Sequence, residues 1–240
     1  MNKTAMSKAA IDTVKIIPNS PPDDFIYAPP QIIPNIIFKD NDILIVSKPA
    51  GLLSVAGRGE DLKDCLVSRV QKDICADARI VHRLDMDTSG IMIFARTPAA
   101  LKHIGRQFEK RAVNKVYRAH VHGIVKGARG EVDLPLRCDW ENRPKQMVDF
   151  EQGKQSLTRW EINDTNETQQ YTRLALFPHT GRSHQLRVHC LYMGHPIIGD
   201  KFYGAQGKKI ADRLFLHAES IEFYHPVTNE RVTFKDDCPF

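Results

Sequence analysis

The sequence predicts a single α/β domain built on a large mixed, mainly antiparallel sheet with helices packed on it. Three observations carry this. Apolar residues recur at helical spacing in only three stretches, while the chain beyond Lys115 reads mostly as short strands separated by turn-rich segments. No strand-helix-strand alternation follows residue 115, which argues against a doubly wound sheet. With 240 residues, 42% of them hydrophobic and 26% charged, the chain has the length and balance to bury a sizeable core.

Residues 1–35 hold six of the fourteen prolines and little periodicity, so they read as an extended arm before a domain spanning 36–240. The strands IIFKD and ILIVSKP form a hairpin turning at Asp40-Asn41-Asp42. Asp61 is expected to cap a helix with Leu62, Leu66, Val70 and Ile74 on its apolar face. A strand RIVHRL, a polar loop DMDTS and an apolar strand GIMIFA follow. Thr97 and Pro98 read as N-cap and first turn of a helix with Leu101, Ile104 and Phe108 on one face. The strands VYRAHVHG, QMVDF, SLTRWEI and TRLALF come next. Ser183 is expected to cap SHQLRVHCLYMG, which Gly194 and Pro196 stop, and HAESIEFYHP and RVTF end the chain as strands.

Five cysteines, odd in number and never spaced C-x-x-C, suggest neither a disulfide framework nor a zinc finger. Reduced thiols, an N-terminus without a signal-peptide core and the lack of any membrane-length apolar run lead us to expect a cytoplasmic protein with no membrane association. The net charge of +5 is modest, but its placement is not even. Residues 96–118 carry Arg96, Lys102, Arg106, Lys110, Arg111, Lys115 and Arg118 against Glu109 alone, a net +6 that leaves the rest of the chain at −1. A lone basic helix face is usually just solvated. Concentration of the whole excess in one short segment points to a polyanionic partner.

Two segments hold chemistry that turns and caps do not explain. In His82-Arg83-Leu84-Asp85-Met86-Asp87-Thr88-Ser89-Gly90, turn chemistry accounts for Asp85, Thr88, Ser89 and Gly90 but not for a cationic pair leading into a carboxylate. An aspartate beside an arginine has its ionised form favoured, which suits a nucleophile or a base. The second segment, Thr180 to Arg187, places Arg182, His184 and Arg187 at a helix start, where exposed amides would suit an anion. No third ligand at a matching spacing supports a metal site on the histidines.

These residues also carry a family resemblance. HRLDMDTSG with GIMIFA after it, KVYRA (Lys115 to Ala119), and TGRSHQLRVH followed by GHPIIGD (Gly194 to Asp200) resemble, in sequence, order and spacing, the three motifs of the RluA-type pseudouridine synthases. The match covers about residues 36 to 235. GLLSVAGR (Gly51 to Arg58) and DLPLRCDWENRPKQ (Asp133 to Gln146) are similar to the branch acting on both 23S ribosomal RNA and the tRNA anticodon stem-loop.

The resemblance implies the pseudouridine synthase fold and isomerisation of uridine in RNA, and we expect a monomer. Substrate and product are isomers, so no cofactor and no metal is required. It implies Asp85 as the essential carboxylate, Arg187 as the cation that keeps Asp85 ionised and oriented, and Tyr117 as a stacking and proton-transfer residue. Arg83 would fill the space left by the flipped nucleotide. His82, Lys102, Arg106, Lys110, Arg111, Lys115 and Arg182 would hold the RNA.

Two other readings start from the same residues. Asp85-Met86-Asp87-Thr88 spells the D-x-D-x-T of haloacid-dehalogenase-type phosphotransferases, but that motif belongs after the first strand of a doubly wound domain. An RNA-binding module without catalysis would use the basic helix and leave Asp85, Tyr117 and Arg187 idle.

Overall fold

The computed structural model describes residues 26–204 and 211–240, so residues 1–25 of the expected arm lie outside the described residues. Ten strands belong to one large, mixed and mainly antiparallel sheet. The described residues form two compact units, Ile26–Tyr117 with His217–Phe240, and Arg118–Leu216.

The first unit contains β1 (Asn35–Lys39), β2 (Ile43–Lys48), β3 (Arg79–Ile80), β4 (Ser89–Ala95), β12 (Arg231–Lys235) and nearly all of β11 (Leu216–Tyr224). Their order is β1-β2-β4-β11, with β12 on β11 and β3 on β4. The expected hairpin is present, because Asp40 Oδ1 accepts from the Asp42 and Ile43 amides at 2.8 Å each and closes the turn. β4 is buried along its whole length, antiparallel to β2 and parallel to β11 where His217 faces Ser89 and Ala218 faces Gly90.

Successive residues of β2 and β4 enter different cores, since a strand alternates its faces. Leu44, Val46, Met92 and Phe94 pack with Leu66 and Val70 of helix α1 (Leu66–Asp73). Ile43, Ile45, Ile91 and Ile93 pack with Ile104 of helix α2 (Pro98–Glu109). Cover on both faces is why GIMIFA reads as an unbroken apolar run rather than an alternating one.

Helix α2 begins as the sequence predicts, with the Thr97 hydroxyl accepting from the Ala100 amide at 3.1 Å. Helix α1 does not. It starts at Leu66, Asp61 sits in a single 3-10 turn (Glu60–Leu62), and the cap is Cys65, whose sulfur accepts from the Ser68 amide while Ser68 Oγ accepts from the Cys65 amide. β3 is also shorter than RIVHRL. Its pairing with β4 stops after Ile80 because the Ile93 amide, next along β4, is taken by the His82 ring at 3.0 Å.

Residues 26–34, the described part of the arm, have no regular structure but are tied down. The Tyr27 hydroxyl donates to the Asp64 carbonyl (2.9 Å) and accepts from the Leu53 amide, and Arg69 donates to the carbonyls of Pro30 and Ile32.

The second unit contains most of β5 (Asn114–His122), together with β6 (Arg129–Asp133), β9 (Leu157–Asn166) and β10 (Tyr171–Pro178), in the order β5-β10-β9-β6. A separate hairpin pairs β7 (Leu136–Cys138) with β8 (Gln146–Val148). Helix α3 (Gln185–Tyr192) packs Val188 and Tyr192 against Val132, Leu134, Leu136 and Val148. The expected Ser183 cap is not used. The residue before α3 is His184, in a left-handed conformation (φ 52°).

Candidate active site

In the first unit Asp85 sits on a loop fixed on both sides. Before it, Ser54 Oγ donates to the Leu84 carbonyl at 2.6 Å and accepts from the Leu84 amide at 3.1 Å. After it, the Met86 carbonyl accepts from the Gly51 amide (2.9 Å) and from the Lys48 ammonium (2.8 Å). The Thr88 amide donates to the Asp85 carbonyl at 3.2 Å, closing the turn that the DMDTS sequence predicts.

Lys48 is wholly buried, and its three N–H groups are directed at the carbonyls of Pro49, Leu52 and Met86, each at 2.8 Å. That matches an ammonium's three donors to three acceptors. The downstream end of the loop is held by Ser89 and Gly90. His217 Nε2 donates to the Asp236 carbonyl at 3.0 Å, so Nδ1 accepts from the Ser89 hydroxyl at 2.9 Å. Gly90 has φ 116° and lies so close to Ala218 that a Cβ would overlap its backbone, which requires glycine.

Tyr117, in β5, packs against the core cluster of Leu44, Leu84 and Met92. Burial, reinforced by the Asp85 carboxylate, pushes its phenol well above the ordinary value. The proton therefore stays on Tyr117 at neutral pH, and the ring offers a flat face and a hydrogen-bond donor rather than a ready base.

Around this loop the structure sorts the predicted cations. Arg83 is exposed on the residue before the anchored Leu84. Lys102 and Arg106 project from α2 into solvent, and Lys110 and Arg111 extend that exposed face past its end. Lys115 is partly buried, with its ammonium 6.0 Å from the Phe108 ring centre, and burial lowers its pKa to about 8. His82 stacks on Phe108 (5.0 Å between centres) and accepts the Ile93 amide. Burial, with Lys115 adding, lowers its pKa to about 3, so it is neutral.

In the second unit Arg187 is 2% exposed and grips Asp200 through a two-bond fork, Nε to Oδ2 and Nη2 to Oδ1, both at 2.7 Å. The guanidinium also lies 5.2 Å from the ring centres of Phe202 and Tyr203. Burial alone would raise the Asp200 carboxyl. The Arg187 charge and the Phe202 and Tyr203 amides outweigh it and hold the carboxyl below its ordinary value. Burial first, and then the negative charge of the Asp200 carboxylate, pushes the Cys190 thiol up to about 12.

The helix start differs from the open anion site expected there. Gln185 Oε1 accepts from the Arg182 amide (3.0 Å) and from the Thr180 hydroxyl (2.7 Å), so the loop satisfies itself, and the Arg182 side chain is exposed. His184 Nδ1 lies 2.7 Å from the Tyr203 hydroxyl.

Sequence reading missed Lys48, Ser54 and Asp200 as supports. Lys48 was visible only as the one charge ending an apolar strand, and Asp200 only as the last residue of GHPIIGD. Among the described residues, no group of three His, Cys, Asp or Glu side chains is placed to hold a metal, and no helix is long and apolar enough to cross a membrane.

Known proteins resemble this chain in sequence and in fold. The family model described as RNA pseudouridylate synthase matches residues 42–192. The dual-specificity RNA pseudouridine synthase RluA of Escherichia coli (strain K12) is 47% identical over 218 residues, 89% of this chain and 98% of that protein. The protein of that name from Haemophilus influenzae is 47% identical over 86% of this chain and 94% of its own length. Among solved structures, human RNA pseudouridylate synthase domain containing 1 superposes with a TM-score of 0.73 at 30% identity, covering 89% of this chain and 87% of that one. With the motif order, the fold and the sequence relationships in agreement, the chain belongs to the RNA pseudouridylate synthase family, whose members are isomerases acting on RNA.

Proposed function

We propose that this protein converts uridines to pseudouridine in 23S ribosomal RNA and in the tRNA anticodon stem-loop, acting as a cytoplasmic monomer with Asp85 as the essential carboxylate. The dual specificity is supported by relatives of that name at 47% identity across nearly their whole length. The observation that carries the catalytic assignment is the anchoring of Asp85 between Ser54 at Leu84 and Lys48 at Met86, with the neutral Tyr117 phenol in its field.

The reaction breaks the bond between uracil N1 and the ribose C1′, turns the base, and forms a bond from C5 to the same C1′. The C5 proton leaves and N1 gains one, so nothing is consumed. An immobile loop suits this chemistry because the carboxylate must stay aligned with the ribose through two bond changes at one carbon. Tyr117 gives the turning uracil a flat surface and a donor. Arg187, held by Asp200 in a buried two-bond fork, is a fixed positive charge of the kind that keeps a carboxylate ionised in a water-poor site. Arg83 occupies the gap left by the flipped nucleotide. Lys102, Arg106, Lys110, Arg111, Lys115 and Arg182 neutralise phosphates. His82, neutral and fixed to β4, shapes the loop.

The test is to map pseudouridines in 23S rRNA and tRNA from cells lacking this protein, then supply wild type or Asp85→Asn. Wild type restores the missing sites, and Asp85→Asn binds RNA without restoring any. Restoration by Asp85→Asn overturns the catalytic assignment. No site restored by wild type overturns the reading as a whole.

A further inference from the structure

The loop Asp139–Lys145 joins β7 to β8 and is closed by its own hydrogen bonds. The Asp139 amide donates to the Lys145 carbonyl (3.0 Å), the Lys145 amide to the Asn142 carbonyl (3.0 Å), and the Asn142 side-chain amide to the Asp139 carboxylate (2.9 Å). On this self-braced loop Trp140 is 65% exposed, with the Arg143 guanidinium 5.1 Å from its ring centre. The indole is thus held out to solvent on a braced loop, where a flat partner can reach it. An indole paired with a cation offers a flat apolar face and a positive edge together, which is the chemistry that stacks a nucleobase and meets its phosphate.

The base of the same hairpin is fastened to the Arg187 support. The Gln146 amide, one residue past the loop, donates to the Tyr203 hydroxyl at 2.8 Å. The Tyr203 amide donates to Asp200 Oδ1, the oxygen that also accepts from Arg187 Nη2. A contact made at Trp140 is therefore made on the framework that aims Arg187.

We propose that Trp140 and Arg143 form a stacking platform for an unpaired base of the substrate RNA, separate from the uridine that reacts. This rests on the RNA synthase reading and adds a means of selection. A paired base has both faces covered by its neighbours, so the platform favours loops over duplex.

The chain has two tryptophans, so Trp160→Phe leaves Trp140 as the only indole. That variant is titrated with an anticodon-type stem-loop RNA and with a blunt duplex of the same stem. The stem-loop quenches Trp140 emission as it binds, and the duplex does not. In the wild-type background Trp140→Ala weakens stem-loop binding about tenfold, Trp140→Phe retains most of it, and turnover at saturating RNA stays near wild type. Stem-loop binding without quenching, equal quenching by the duplex, or unchanged affinity in Trp140→Ala overturns the platform while leaving the synthase reading intact. Failure of the wild-type enzyme to isomerise the RNA overturns both.

Discussion

The Lys48 ammonium donates to the Met86 carbonyl across 2.8 Å, and Met86 is the residue after Asp85. The candidate carboxylate is thus held through its backbone by a charge 38 residues away in sequence. Because Lys48 is wholly buried, the anchor is shielded from water and salt, and the loop cannot drift without exposing an unsatisfied charge.

Replacing Lys48 by methionine keeps the length of the side chain but takes the ammonium donor from the Pro49 and Leu52 carbonyls and leaves the Met86 carbonyl with the Gly51 amide alone. The expected cost is about 2–4 kcal/mol in urea unfolding, together with a fall in single-turnover rate that exceeds any loss of RNA affinity. A variant of wild-type stability, or one with normal turnover, would show that the anchor is dispensable.

Asp200→Asn takes the paired carboxylate away from the buried Arg187. Breaking a buried pair by removing one partner costs about 3–5 kcal/mol, so the melting temperature should drop sharply. Asp200→Glu, which keeps the charge, should recover more of the stability than of the activity, because the longer side chain re-aims the guanidinium. Equal recovery of both would argue against an orienting role.

Charge reversal at Lys102 and Arg106 acts on exposed residues of α2 and should leave the fold intact. Affinity for RNA should fall, and the slope of log affinity against log salt should shrink by about one to two. Turnover of bound RNA is expected to survive. Collapse of the single-turnover rate at unchanged affinity would remove these residues from the binding face.

His189 gives the fold a pH dependence. Its Nε2 donates to the Leu134 carbonyl (3.3 Å), so Nδ1 accepts from the Thr158 hydroxyl (2.9 Å), and burial lowers its pKa from 6.5 to about 4. Between those values the unfolded chain binds the proton that the folded chain refuses, so stability is full above pH 6.5 and declines as pH falls toward 4. The urea midpoint should drop between pH 7 and about 5, and His189→Gln should flatten that part of the profile. An unchanged profile in the variant would assign the dependence to other groups.

What the sequence showed well was local. Thr97 and Pro98 start α2 as expected because cap and helix lie within one turn, and GIMIFA is a buried strand because its run of apolar side chains fits nothing else. The errors came where a more distant or less familiar partner won. Asp61 lost the start of α1 to the reciprocal bonds of Cys65 and Ser68, and Ser183 lost the start of α3 to a left-handed His184 beside Tyr203, a residue 19 positions on. The strands β6 and β7 were not read at all, since RGEVD and LRC are too short and polar to show a period.

By itself, then, the sequence determined the mixed sheet, the basic helix α2 and the identity of the motif residues, because periodicity, caps and motif spacing are all properties of neighbours along the chain. The tertiary structure alone decided what makes those motifs rigid. Lys48 reaches Met86, His217 reaches Ser89 from 128 residues away, and Asp200 takes the fork of Arg187. Each of these polar contacts is buried, and a buried polar group gains its partner only when the whole fold has excluded water around it, which no local pattern of residues encodes.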